Sequence, residues 1–352
     1  VAHGQWARGE LRGIAGYSGF LQVLSMHKTN PDEVDRILLD HVSRALAANR
    51  RPGLHFPAYF LGLHSRGFSN GRAHLALQDG PHCANPDGSV NIAAIAVLAD
   101  MGLSAAMRQH LEAPQRMATL SLHLQFTGAA MCGALHSEAD FDGFFADSSA
   151  IQGRCSGAVY AGGEIVCRTN GTFASPPAPP GVKLAPLTWD ETPRVREVPP
   201  LQAGDLDAGE KAVLRRARAA LKARGSSSAF VGHFWNQAAR ALKGGGASNT
   251  MQLGAHNGNR VGHAHGGVLF GAAACTAIAA LPRDFVLTGA SAWYIRAGTG
   301  DRLRVRSRVL QHGRTVGVVQ TRVTDQQGRI VLEMVTGHAA RERPGAREEA
   351  AG

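Results

Sequence analysis

Landmarks in this chain of 352 residues recur at a nearly constant spacing, which restricts the fold to two copies of one unit. Asn91 and His265 lie 174 positions apart, and the strand ends Phe126 and Tyr294 lie 168 apart. Gly163-Glu164-Ile165-Val166 and Gly328-Arg329-Ile330-Val331 lie 165 apart. The spacing shrinks in steps, as loop deletions of about six and three residues in the second copy would produce. In the first copy a turn at Asn85 to Gly88 leads into a small-residue helix within Cys83 to Leu111, and three or four strands follow from Arg116 to Phe173. The same order recurs from Ala247 to Ala340. No helix separates successive strands, so the sheet is an antiparallel meander rather than a parallel βαβ array, and the class is α+β.

The flanks are helical. Thr29 to Asn49 carries a cap candidate in Asn30, Pro31 in the first turn, and Val34, Ile37, Leu38, Val42 and Leu46 on one stripe. A second helix is expected over Leu206 to Arg224, ending at Gly225-Ser226-Ser227-Ser228. A single strand is expected over Phe68 to Gln78. Between Ala174 and Pro200 eight prolines exclude a sheet interior and mark a connector. The expected organisation is a helical extension over 1–50, a first unit over 51–175, a Pro-rich linker over 176–204, a second unit with its leading helix over 205–342, and a disordered tail over 343–352. In the second unit Arg302, Arg304, Arg306 and Arg308 alternate with Leu303, Val305, Ser307 and Val309, the pattern of a strand with one solvated face or of a landing strip for phosphates.

A net charge of +10 points to an anionic partner: nucleic acid, a membrane surface or a phosphate-bearing cofactor. With 6% aromatics, no arginine run interleaved with them and no zinc-finger spacing, nucleic acid is set aside and no metal is expected. No apolar run approaches the roughly 18 residues of a membrane span, so no membrane partner is expected. Cys83, Cys132, Cys155, Cys167 and Cys275 are scattered and odd in number, as in reduced cytoplasmic proteins, and the opening Val1-Ala2-His3-Gly4 has no signal-peptide pattern. A cytoplasmic location is expected.

The chemistry centres on Asn257 to Cys275, where a glycine pair opens a small-residue apolar run. Such a loop ends at a buried helix N-terminus, whose unpaired N–H groups and dipole polarise a carbonyl. The stretch resembles the helix start of hotdog-fold acyl-CoA thioesterases of the phenylacetate-pathway type: an Asn, His-Gly-Gly six residues on, and an Asp nine residues after that His. The second copy keeps Asn259 and His265-Gly266-Gly267 but has Ala274 at the Asp position. The first copy keeps Asn85 and Asp100 but has Asn91-Ile92-Ala93 in place of His-Gly-Gly. Asp100 lies about 13 Å along its own helix from that helix's start, too far to serve it.

The resemblance implies two tandem hotdog units, each an antiparallel sheet wrapped around a central helix, forming an intrachain pseudo-dimer with sites built across the two units. One composite site would then pair Asn259, His265 and Gly266 with Asp100, and Thr119 would add a hydroxyl seven residues before the strand-ending Phe126. Strand alternation puts Thr119 on one face with Ser121, His123 and Gln125. The same count from Tyr294 gives Leu287, or Thr288 if the register slips by one. The implied reaction is hydrolysis of an acyl-CoA thioester, with Asp100 as general base toward water or as a nucleophile forming an anhydride, Gly266 N–H polarising the carbonyl, Asn259 and Thr119 positioning carbonyl or water, and His265 shaping the loop. Gly267, Ser121 and His123 are candidate substrate contacts. No cofactor is implied beyond the CoA of the substrate, and pseudo-dimers of this kind would associate into a homo-oligomer. A hotdog enoyl-CoA hydratase and a noncatalytic acyl-CoA binder or regulator are the alternative readings.

Overall fold

The computed structural model describes residues 31–341 apart from positions 70, 113–114, 147, 149, 178–180, 182–185, 188, 190–191 and 225–228. The cap candidate Asn30, the tail over 343–352 and much of the Pro-rich stretch lie outside the described residues.

The first half runs α1 (Pro31–Asn49), α2 (Phe56–Phe60), β1 (His64–Ser69), β2 (Arg72–Ala76), α3 (Ile92–Arg108), β3 (Ala118–Phe126), β4 (Leu135–Phe144), β5 (Gln152–Ala161) and β6 (Glu164–Ala174). The second half runs α4 (Ala208–Arg224), α5 (Phe230–Phe234), β7 (Arg240–Ala241), β8 (Ala247–Gln252), α6 (Gly266–Ile278), β9 (Phe285–Tyr294), β10 (Arg302–His312), β11 (Val316–Thr324) and β12 (Ile330–Ala340). The strand expected over Phe68 to Gln78 is a hairpin instead: β1 pairs antiparallel with β2, and Gly71 in the turn has φ of 75°.

All twelve strands form one antiparallel sheet in the order β1-β2-β4-β5-β6-β3-β9-β12-β11-β10-β8-β7. The order reads the same from either edge once each strand is matched to its counterpart. At the centre His123 pairs with Ser291, Ser121 with Trp293 and Gln125 with Gly289. His123 and Ser291 lie 168 positions apart, the spacing of Phe126 and Tyr294, so this register is symmetric about their pair. The loops before α3 and α6 repeat as closely. Asn85 N–H donates to Ser89 O and Asn259 N–H to His263 O, both at 2.7 Å, and Gln78, Gly80, His82 and Gly88 recur at Gln252, Gly254, His256 and Gly262.

The leading helices also correspond. Arg50 at the end of α1 pairs with Glu210 at the start of α4, and Arg224 at the end of α4 pairs with Asp35 at the start of α1. The two ion pairs clip the helices side by side in opposite directions. On β10 the arginines are exposed while Leu303, Val305 and Ser307 are buried, as expected for a sheet face in water.

The helices α3 and α6 pack against the sheet and against each other, and one apolar core runs through both halves. Their contact needs small residues. A Cβ at Gly267 would lie 2.5 Å from the Cα of Val97, and one at Gly271 would overlap the Cβ of Ala93 and lie 2.6 Å from its Cα. Gly267 and Gly271 are the counterparts of Ala93 and Val97 at a spacing of 174, so the crossing is reciprocal. Backbones this close leave no room for a methylene. No helix among the described residues is long and apolar enough to cross a membrane. Gly271→Ala is expected to cost about 1–3 kcal/mol in urea unfolding, with part of the loss recovered in the double variant carrying Ala93→Gly. An unchanged midpoint in Gly271→Ala would mean that the crossing is not close-packed.

Candidate active site

The N-terminus of α6 comes from a loop shaped by Asn259, whose Oδ1 accepts the N–H groups of Val261 and His263, each at 3.0 Å. This carbonyl oxygen is therefore committed to the turn, and the amide nitrogen is the part of Asn259 left to meet a ligand in the cavity that the residue lines. His265 caps the helix: its Nδ1 accepts the Gly267 N–H at 3.1 Å, which leaves the ring proton on Nε2. Burial pushes its pKa down to about 3, so the ring is neutral at physiological pH. The buried His55 ring packs edge-on against it at 4.3 Å. The Gly266 N–H has no protein acceptor among the described residues.

Asp100 comes from the other half. Sixteen of the seventeen residues of α3 are buried, so a carboxylate on this helix is largely withdrawn from water and needs donors within the protein. It finds one on the neighbouring strand β3 and one across the seam. Thr119 Oγ1 donates to Oδ1 at 2.8 Å, and the Gly267 N–H donates to Oδ2 at 3.1 Å. Burial lifts the Asp100 pKa to about 6, against the pull of these two bonds, which favour the ionised form. The His265 Nδ1 stands 3.9 Å from Oδ2, beyond hydrogen-bond range. A Cβ at Gly266 would lie 2.8 Å from Asp100 Oδ2 and 3.0 Å from Thr119 Oγ1, so only glycine fits beside the pair.

The structure thus brings Asp100, Thr119, Asn259, His265, Gly266 and Gly267 to one place. It does not bring Ser121 or His123. Neither lines the cavity; both lie on the β3–β9 seam, where His123 packs edge-on against Trp293. The expected face assignment fails because the β3–β6 register shifts between Thr119 and Ser121. This bulge turns Thr119 toward α3, on the side of the buried Leu122 and Leu124 and away from the face expected from simple alternation. The matching bulge in β9 skips Thr288, so Leu287 takes the Thr119 position and Thr288 is exposed. Gly267 also differs from expectation: its N–H is shared by Asp100 and His265 and is not free for a ligand.

Tyr294, in the sequence only a strand-end landmark, also reaches the N-terminus of α6. Its hydroxyl donates to Gly266 O at 2.8 Å. That carbonyl and the Gly267 N–H share one peptide plane, so Tyr294 holds one side of it and Asp100 the other. Burial, then the Asp100 charge, raise the Tyr294 pKa well above 10, which keeps it a donor. The signal in the sequence is that its counterpart Phe126 has no hydroxyl.

The opposite helix start is closed. Asn91 Oδ1 accepts the Ala93 N–H at 2.9 Å, and its Nδ2 donates to Asn85 Oδ1 at 2.9 Å. Asn85 Nδ2 in turn reaches Ser89 Oγ at 3.0 Å. In this half-site Ala274 and Leu287 replace the carboxylate and the hydroxyl. Among the described residues no group of three or more His, Cys, Asp or Glu is placed to hold a metal ion. Cys275 is half-buried against the core, and desolvation pushes its thiol up to about 12, the state of an unreactive thiol.

A cavity of about 260 Å³ opens at Asp100, Gly266 and Tyr294. Residues 261–332, from the loop before α6 into β12, match the family model of the thioesterase superfamily. Among solved structures, the tesB protein of Mycobacterium avium subs paratuberculosis is 11% identical, with 80% of this chain and 97% of that one covered and a TM-score of 0.46. Acyl-CoA thioesterase II TesB2 of Mycobacterium marinum is 12% identical, covering 81% and 97%, with a TM-score of 0.44. A hypothetical thioesterase protein of Streptococcus pneumoniae, solved with coenzyme A, is 26% identical over 30% of this chain and 87% of its own, with a TM-score of 0.27. No curated protein matches.

In a titration of the chain followed by carboxylate infrared or NMR signals, Asp100 is expected to ionise near pH 6, and in Thr119→Val higher still, because the lost hydroxyl favoured the charged form. Ionisation near pH 4 in the native chain would show that the carboxylate is not desolvated as described.

Proposed function

We propose that the chain is an acyl-CoA thioesterase made of two tandem hotdog units that form an intrachain pseudo-dimer, with one composite catalytic site at the seam. The observation that carries this reading is the contact between Asp100 of α3 and the N-terminus of α6, where a carboxylate, a free N–H and a cavity converge. The thioester carbonyl would sit at the Gly266 N–H, polarised by it and by the helix dipole. Ionised Asp100 takes a proton from water as the water oxygen bonds to the carbonyl carbon. The C–S bond then breaks and the proton passes from Asp100 to the departing CoA thiolate, so the carboxylate is regenerated. Thr119 and Tyr294 act by position: one orients the carboxylate, the other the peptide plane of Gly266 and Gly267. Asn259 reaches the substrate or the water through Nδ2.

A base of this kind works only when ionised, so kcat/KM should fall as pH drops through about 6, not about 4. Thiol release from a panel of short, aromatic and long acyl-CoAs measures the reaction. Turnover is expected to drop about 100-fold or more in Asp100→Asn and to persist in Asn91→Ala, which alters the closed helix start. Activity indifferent to Asp100, or no thiol release from any acyl-CoA, would overturn the proposal.

A further inference from the structure

Beyond Asp100 the cavity continues along α3, and its lining changes sign. Asp100, Ser104 and Arg108 are spaced by four and face the cavity, so Arg108 lies about 12 Å further along the helix axis. Arg116 and Arg260 line the same region. Among the described residues Asp100 is the only acidic residue of the lining, and it is already held by Thr119 and Gly267.

Arg108 is half-buried as a residue, but its guanidinium is withdrawn from water. Its Nη1 donates to Gln115 O at 2.7 Å, and no carboxylate among the described residues pairs with it. The Nε of Arg116 is buried without an acceptor, while its Nη2 stands 3.3 Å from His263 Nδ1. Desolvation, then the Arg260 charge, lower the Arg108 pKa to about 9, which leaves it a cation at physiological pH. Desolvated cations without an acid are costly unless a ligand supplies one. The exposed Arg296 lines the same cavity and marks its solvent side, where CoA phosphates can stay hydrated. With CoA entering past Arg296, Arg108, about 12 Å of helix beyond Asp100, stands where an acyl group would terminate.

We infer that Arg108, with Arg116 beside it, is a carboxylate-binding subsite, and that the substrate class is an ω-carboxyacyl thioester, the CoA thioester of a dicarboxylic acid. This rests on the thioesterase reading for its chemistry, but binding can be tested without turnover. The non-hydrolysable carboxypentyl and hexyl thioethers of CoA differ only in the terminal group, and calorimetric titration of each into the native chain and into Arg108→Gln separates the terms. The carboxypentyl thioether is expected to bind about ten- to a hundredfold tighter than the hexyl one to the native chain, from charge-assisted hydrogen bonds. In Arg108→Gln that preference should vanish while hexyl binding is unchanged.

Equal or tighter binding of the hexyl thioether to the native chain would overturn the inference, as would binding of neither. Equal weakening of both in Arg108→Gln would overturn it too, by assigning Arg108 to a phosphate that both ligands share. If Arg108→Gln does not fold, the native comparison alone decides. A native chain that prefers the carboxypentyl thioether yet releases no thiol from adipoyl-CoA would sink the thioesterase reading and leave the subsite standing.

Discussion

The close crossing of α3 and α6 is the contact on which the site depends. Ala93 and Val97 meet Gly271 and Gly267 with no space for an added methylene, and this nearness lets the Asp100 carboxylate reach under the N-terminus of the opposite helix. Had either glycine been larger, the helices would part, and a carboxylate on a helix buried on all sides would lose a donor it needs. The continuous sheet fixes the same geometry from outside, because the symmetric β3–β9 register sets how far the two halves slide past one another. Packing and chemistry here share one set of contacts.

Symmetry places two equivalent helix starts at the seam, and the sequence equips them differently. One has Asp100, Thr119, His265 and Tyr294; the other has Ala274, Leu287, Asn91 and Phe126 at the corresponding positions. The second set makes an ordinary apolar and amide-bonded interior. Asn91 and Asn85 satisfy each other, so nothing there waits for a ligand. A chain that must keep one desolvated carboxylate therefore does not keep two.

Much of this was legible in the sequence because spacing survives where identity does not. The offset between Phe126 and Tyr294 is the register offset of the central strand pair, and the split of Asp100 from His265-Gly266-Gly267 is the split across the helix crossing. What simple alternation could not supply was the bulge at Leu120, since one extra residue in a strand reverses the facing of everything before it. That reversal put Thr119 toward Asp100 and left Ser121 and His123 on the seam, away from the cavity. Tyr294 was in view as a landmark, but its bond to Gly266 O depends on where a strand end meets a helix start, a long-range placement that no local pattern encodes. Nothing in the sequence singles out Arg108, and only the cavity shows it turned inward.

The energetics of Asp100 bear on why the fold carries one such carboxylate and an alanine at the matching position 274. Its folded pKa lies above that of an unfolded carboxyl, so its favourable contribution to stability is present in acid and is lost as pH rises through about 6. At neutral pH the ionised group is carried at a cost of about 3 kcal/mol, a large part of the net stability of a typical domain. Thr119 and the Gly267 N–H reduce that cost without cancelling it, and a full set of donors would drive the pKa down to where the carboxylate is a poor base. On the proposed mechanism, the base strength needed to take a proton from water at neutral pH and the incomplete stabilisation of the buried charge are thus one property. At the Ala274 position the fold avoids that cost.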